Sequence, residues 1–194
     1  QSLIFSKEIT EKIKKLKMKN AKFNVLFEEK PNQEVNKNGI DKISFQISTN
    51  LGSEFESIKK AASGGEVSRI ALAIQSLISK NYSIPIQIFD EIDVGIGGTT
   101  GNSIGLFLHE ISKYSQVVGI THLPQVATFA EHNFFIHKEE INNTTTTHIK
   151  KLEKEDKLKE FSRMMGYETF TNENKEMLEK LIKNSEDMKK NEVY

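Results

Sequence analysis

Apolar residues at Phe5, Ile9, Ile13 and Leu16 recur at steps of four, four and three, while Lys12, Lys14, Lys15, Lys17 and Lys19 fill the other faces. That spacing lays one apolar stripe along a helix and predicts an amphipathic α-helix at the start of the chain. Its lysines read first as a solvated face and second as a contact for DNA. The period then changes from 3.6 to 2. Residues 23–27 and 43–47 form two strand-like runs, the second alternating Ile43, Phe45 and Ile47, and Asn38-Gly39 between them signals a turn in a long-looped hairpin. Helical spacing returns with Val67, Ile70, Ala71, Ile74, Leu77 and Ile78, followed by a short apolar run at residues 84–89 with Pro85 near its start. A further helix is marked by Ile104, Phe107, Leu108 and Ile111, and a further strand by residues 117–120. This alternation predicts an α/β layer with parallel strands. The tail predicts a hairpin of residues 134–137 and 145–152 around Asn142-Asn143. Helices near residues 157–165 and 174–188 follow, with Gly166 closing the first of them.

Composition narrows the class. A chain of 194 residues with 37% hydrophobic content can bury a core, so wholesale disorder is excluded. The 27 basic and 27 acidic residues cancel, which argues against a dedicated basic DNA-binding module but leaves room for a local patch. Cysteine is absent, so disulfides and thiolate metal sites are excluded, in keeping with a reducing cytoplasm. No apolar run approaches the roughly 20 residues that span a bilayer. The N-terminal residues Gln1-Ser2-Leu3-Ile4 are neither a signal peptide nor a methionine start, and the chain reads as a soluble segment of something longer. Asn142 and Asn143 each open an Asn-x-Thr match, which carries little weight without a secretion signal.

Three constellations carry chemistry. Ser63-Gly64-Gly65-Glu66 opens the helix that begins near Val67. Ser63 with Glu66 three residues on is a capping box, which accounts for those two residues but not for consecutive glycines. Glycines at a helix N-terminus let a backbone approach another group closely, and bare amides beside a serine hydroxyl suit phosphate. Both readings stand on the residues alone. The second constellation is the run at residues 84–89 ending in Asp90-Glu91, where an aspartate at a strand end suits Mg²⁺ and the adjacent glutamate suits polarising a water; a solvated corner is the plain alternative. Ile92-Asp93-Val94-Gly95-Ile96-Gly97-Gly98 follows as a glycine-rich turn. The third is Val117-Val118-Gly119-Ile120-Thr121-His122-Leu123-Pro124, a strand ending in histidine before a proline-started helix; a lone histidine there is more often structural than catalytic.

The order of these elements resembles ABC-type ATPases. More closely, Ala62-Ser63-Gly64-Gly65-Glu66-Val67-Ser68-Arg69, Phe89-Asp90-Glu91-Ile92-Asp93-Val94-Gly95-Ile96 and Thr121-His122-Leu123-Pro124-Gln125-Val126-Ala127 resemble the RecN family of SMC-like proteins, as do the preceding hairpin and residues 161–166. The resemblance covers all but about the first 20 residues. It implies an α/β fold, the C-terminal lobe of an ABC/SMC-type P-loop ATPase head, with a mixed sheet and flanking helices over residues 22–194. Residues 1–21 would be the end of a coiled-coil helix. It implies that Ser63, Gly64, Gly65 and Glu66 form the signature motif facing the γ-phosphate of ATP held by the opposite subunit. Asp90 would be the Mg²⁺ residue, Glu91 the catalytic base, Asp93 the dimer-interface residue of the turn after it, and His122 the switch histidine. The implied setting is cytoplasmic and nucleoid-associated. ATP and Mg²⁺ are the implied ligands. The implied partners are DNA, a head–head homodimer and the N-terminal half of the same protein, with no membrane.

Two departures qualify this. Gly97 stands where the family pattern has serine, and no Gly-x-x-x-x-Gly-Lys-[Ser/Thr] phosphate loop occurs anywhere in the chain. The expectation is therefore a half-head that acts in DNA double-strand-break repair once an N-terminal half supplies the phosphate loop. A non-catalytic remnant serving as an interaction module is one alternative. An ABC-transporter nucleotide-binding domain is another, poorly suited by the lysine-rich helix and hairpin before Ser63.

Overall fold

The computed structural model describes residues 1–29, 39–82, 84–90, 92–94, 96–141 and 144–191. The chain forms two compact units, Gln1–Ser83 and Ile84–Tyr194.

The first unit begins with α1 (Ser2–Lys15), whose stripe is buried as its spacing predicts: Ile9, Ile13 and Leu16 are fully covered. It packs against β1 (Lys22–Glu29). β1 pairs antiparallel with β2 (Asp41–Ser48), in a register that sets Phe23 opposite Ile47 and Val25 opposite Phe45. The tip between them, including Asn38 of the expected turn, lies outside the described residues. Gly39 beside it has φ +88°, a left-handed conformation that glycine adopts freely. A two-residue β3 (Glu56–Ser57) adds to β2, the short α2 (Ile58–Ala61) follows, and α3 (Gly64–Ile78) packs on α1. Phe5, Phe23 and Phe45 form an aromatic trio with centroids 5.4–6.2 Å apart. Thr10 Oγ1 ties helix to sheet by accepting the Phe23 N–H at 3.0 Å.

The second unit contains a parallel β–α–β arrangement. β4 (Ile86–Phe89) is followed by α4 (Gly98–Ser112) and β5 (Gln116–Gly119), which pairs with β4 so that Ile88 lies opposite Val118. Pro85 sits just before the strand, where its carbonyl accepts the Gln116 N–H at 2.9 Å. A short α5 (Pro124–Ala127) packs on α4. The core here is Ile104, Phe107, Leu108, Ile111, Val126 and Phe129. The predicted tail hairpin is longer than the sequence pattern indicated: β6 (Phe134–Ile141) pairs antiparallel with β7 (Thr144–Lys151), and Asn142-Asn143 lie outside the described residues. All of β7 is exposed. The hairpin is anchored at its base, where Leu152 N–H donates to Asn133 O and Asn133 Nδ2 donates to Ala127 O. Finally α6 (Lys154–Met164) and α7 (Asn172–Asn191) close on each other through Phe161 and Leu178, both buried, together with Ala127. Gly166, at φ +83°, ends the first of these helices as expected. Among the described residues the mixed α/β architecture is built from three small sheets.

β4 and β5 are covered in an unusual sense. Gln87 is buried and donates to Ser115 Oγ at 2.8 Å, while Ile86, Ile88, Val118 and Ile120 turn outward and are 56%, 69%, 43% and 49% exposed. In a strand, successive side chains alternate faces, so this sheet presents an apolar face that nothing in its own unit covers.

Candidate functional site

In the first unit, the sequence Ser63-Gly64-Gly65-Glu66 lies at the start of α3, with Ser63 as N-cap. Its capping box is formed: the Ser63 N–H and Oγ–H donate to Glu66 Oε2 at 2.8 and 3.0 Å. The capping reading of Ser63 and Glu66 therefore holds, yet it does not use the glycines. A Cβ built on Gly64 meets nothing within 4 Å among the described residues, so no packing with them requires glycine there. The first turn of α3 is thus an exposed set of amides that another molecule can approach closely.

Beside that turn lies a concavity of about 350 Å³ lined by Lys17, Lys19, Asn50, Glu66 and Arg69. Arg69, whose position in the motif gave no sign of this, has a buried Nε with no hydrogen-bond acceptor among the described residues. Burial lowers the pKa of its guanidinium, while the charge of Glu66 works the other way. The sequence signal for this pocket was the lysine cluster at the end of α1; nothing local paired it with Arg69.

In the second unit, Asp90 is exposed directly after β4, and His122 lies three residues beyond β5, so both emerge from the carboxyl ends of parallel strands. Open α/β sheets bind ligands at that edge. Glu91 lies outside the described residues. Among the described residues no group of three or more His, Asp or Glu side chains is gathered to enclose a metal. A single exposed carboxylate nevertheless fits Mg²⁺, which keeps several waters and is commonly held by one or two carboxylates plus substrate phosphates.

The organising residue is Asp93, fully buried in this unit. Its Oδ2 accepts from the Thr121 hydroxyl, from His122 N–H at 3.0 Å and from Leu123 N–H at 3.3 Å. Its Oδ1 stands 3.3 Å from His122 Nδ1. One carboxylate thereby joins the turn after β4 to the turn after β5, leaving the His122 ring 63% exposed. Thr121 is the member of this group that sequence reasoning missed: a hydroxyl at a strand end is common, and its partner lies 28 residues away. Gly97, where serine was expected, is the N-cap of α4 with open space around a would-be Cβ, so the helix start accommodates glycine without strain.

No protein-family model matches the chain. It is 40% identical over 161 residues to the DNA repair protein RecN of Haemophilus influenzae, covering 83% of this chain and 29% of that protein. It is 42% identical over 151 residues to the DNA repair protein RecN of Bacillus subtilis, covering 78% of this chain and 26% of that protein. The chain belongs to the RecN family. It spans roughly a quarter to a third of the length of the RecN relatives it matches. Among solved structures, the SMC head domain with coiled coil and joint from Pyrococcus yayanosii aligns with a TM-score of 0.61 at 21% identity, covering 82% of this chain and 29% of that one. An SMC head bound to the C-terminal winged-helix domain of ScpA aligns with a TM-score of 0.52 at 26% identity, covering 76% and 42%. The fold of this RecN-family segment is therefore that of SMC heads. No helix among the described residues is long and apolar enough to cross a membrane.

Proposed function

We propose that this chain is the C-terminal part of an SMC-like ATPase that acts in DNA double-strand-break repair and recombination, with ATP hydrolysed where two heads meet. The observation that carries the reading is the start of α3, where a Cβ on Gly64 would meet none of the described residues and Ser63 stands exposed at the helix N-terminus. In this reading Ser63, Gly64 and Gly65 face the γ-phosphate held by an opposing head, with Glu66 holding Ser63 in place as helix cap. Asp90 would hold Mg²⁺, which when bound would supply positive charge against that developing on the transferring phosphoryl group. Glu91 accepts the proton of the attacking water, and His122 meets the γ-phosphate from the β5 side.

The phosphate loop absent from this sequence comes from the N-terminal half of the same protein. The outward-facing Ile86, Ile88, Val118 and Ile120 favour such a partner, because an apolar sheet face of that kind is stabilised when covered. DNA is the other partner, and Lys17, Lys19 and Arg69 around one concavity provide cationic groups for its phosphates.

The test is ATP turnover by this chain alone and mixed with the N-terminal part, with Glu91→Gln as control. Turnover only in the mixture, lost with Glu91→Gln, is the expected result. An inactive mixture whose two parts demonstrably associate would sink the ATPase reading in favour of an interaction module.

A further inference from the structure

The His122 imidazole is carried on a turn held by a single carboxylate. Asp93 Oδ2 is saturated by the Thr121 hydroxyl and the two backbone amides of His122 and Leu123. Oδ1 is different. It is buried and, among the described residues, has no hydrogen-bond donor, and the structure sets His122 Nδ1 against it at 3.3 Å. A buried carboxylate oxygen left without a donor is unfavourable, and a ring N–H a small rotation away is the group able to supply one. Which imidazole nitrogen carries the proton is decided by the hydrogen bond the other one lacks or makes.

We propose that Asp93 is the positioning residue of His122: its buried carboxylate takes the Nδ1–H and so presents Nε2 outward at the end of β5. This rests on the reading of His122 as the residue that meets the γ-phosphate. The resemblance to other heads gives Asp93 a role at the dimer interface; its carboxylate is fully buried in its own unit, and the role proposed here is an additional one. With Nδ1 engaged by Asp93, Nε2 is the ring nitrogen left to meet a phosphate oxygen, and the carboxylate fixes its direction. The same carboxylate follows Asp90 by three residues, so the orientation of the histidine is tied to the turn that carries the proposed metal residue.

The first experiment reads the ring directly: long-range ¹H–¹⁵N correlation spectra of the 194-residue chain labelled at histidine. Neutral His122 is expected to carry its proton on Nδ1. Asp93→Asn retains one acceptor oxygen for the turn amides but turns an NH₂ toward Nδ1, so the proton is expected to move to Nε2. A wild-type ring protonated on Nε2 overturns the proposal, and so does a tautomer that Asp93→Asn leaves unchanged. Should Asp93→Asn not fold, the wild-type tautomer decides alone. In the mixture with the N-terminal half, Asp93→Asn is expected to lower kcat by roughly tenfold or more with KM little changed. A purely structural role would not invert the tautomer. An inactive wild-type mixture with an Nδ1–H ring sinks the ATPase reading and leaves the Asp93–His122 pair standing; an active mixture with an Nε2–H ring does the reverse.

Discussion

A Cβ placed on Gly105 would stand 2.3 Å from Cδ2 and 2.7 Å from Cγ of Phe129. Gly105 lies midway along α4, and Phe129 is buried just past the end of α5, so the ring lies flat on bare helix backbone. Alanine at 105 must displace either the ring or the helix. Gly105→Ala is expected to destabilise the chain by about 1–3 kcal/mol in urea titrations. Shrinking the ring with Phe129→Leu in the same chain should recover part of the loss, because the two residues are coupled. Equal stability of Gly105→Ala and wild type would mean that this packing is wrong.

Removing the cap of α3 has a smaller effect. Glu66→Ala deletes the acceptor of both Ser63 donors and should cost about 0.3–1.5 kcal/mol in the same titration. An unchanged midpoint would show that the exposed first turn is satisfied by water instead.

The stripe of α1 was legible because burial repeats every 3.6 residues over several turns, and Ile9, Ile13 and Leu16 are covered. In α3 the helix was legible but its buried face was not: of the expected stripe only Ile70 is buried, Val67 and Ala71 are exposed, and Leu72, Ala73 and Ser76 are covered instead. The two antiparallel hairpins were legible from alternation and turn residues. Three further things were not. The short β3 and α2 have too few residues to show a period, whereas α5, equally short, was signalled by Pro124 at its start. The apolar run ending at Phe89 reveals a strand, but not that Gln87 would point inward and Ile86 and Ile88 outward, since which face is covered depends on what packs there. The grouping of Asp93 with Thr121, His122 and Leu123 rests on parallel pairing of β4 with β5, a tertiary relation with no local signal. Ser63, Asp90 and His122 could be picked out one by one; the carboxylate that holds the histidine turn could be assigned that task only from coordinates.

The exposed face of β4 and β5 gives a third expectation. Ile88→Thr keeps the β-branched backbone preference and removes little buried surface, so folding stability should shift by no more than about 0.5 kcal/mol. Light scattering of the chain alone at high concentration should fall, since an uncovered apolar patch promotes self-association. A loss of stability well beyond that figure would mean the residue is covered within its own unit.

Acid response centres on His109 in the last turn of α4. Burial lowers its pKa from the ordinary 6.5, and the charges of Lys113 and Lys189 lower it further. The unfolded chain therefore binds this proton more readily than the folded one. Stability is unaffected by this group well above pH 6.5, falls as pH drops through the ordinary value, and levels off below the folded one. Melting temperature between pH 7.5 and 5.5 should decline more steeply for wild type than for His109→Gln. Parallel curves would show that the imidazole is freely hydrated.

The hairpin of β6 and β7 is a two-stranded ribbon with no third strand beside it among the described residues, and one of its strands is exposed along its full length. Such ribbons are marginal by themselves. This one is pinned at the root, by Asn133 and by the Arg163 guanidinium 5.6 Å above the Phe135 ring. Its outer rungs, from Lys138 opposite Thr147 outward, can open while the rest of the unit stays closed. In heavy water the amides of those rungs will take up deuterium through brief local openings, long before those beneath Ile104 and Ile111. The protein thus carries a segment whose exchange clock runs separately from that of its core, and which can be remodelled without unfolding anything else.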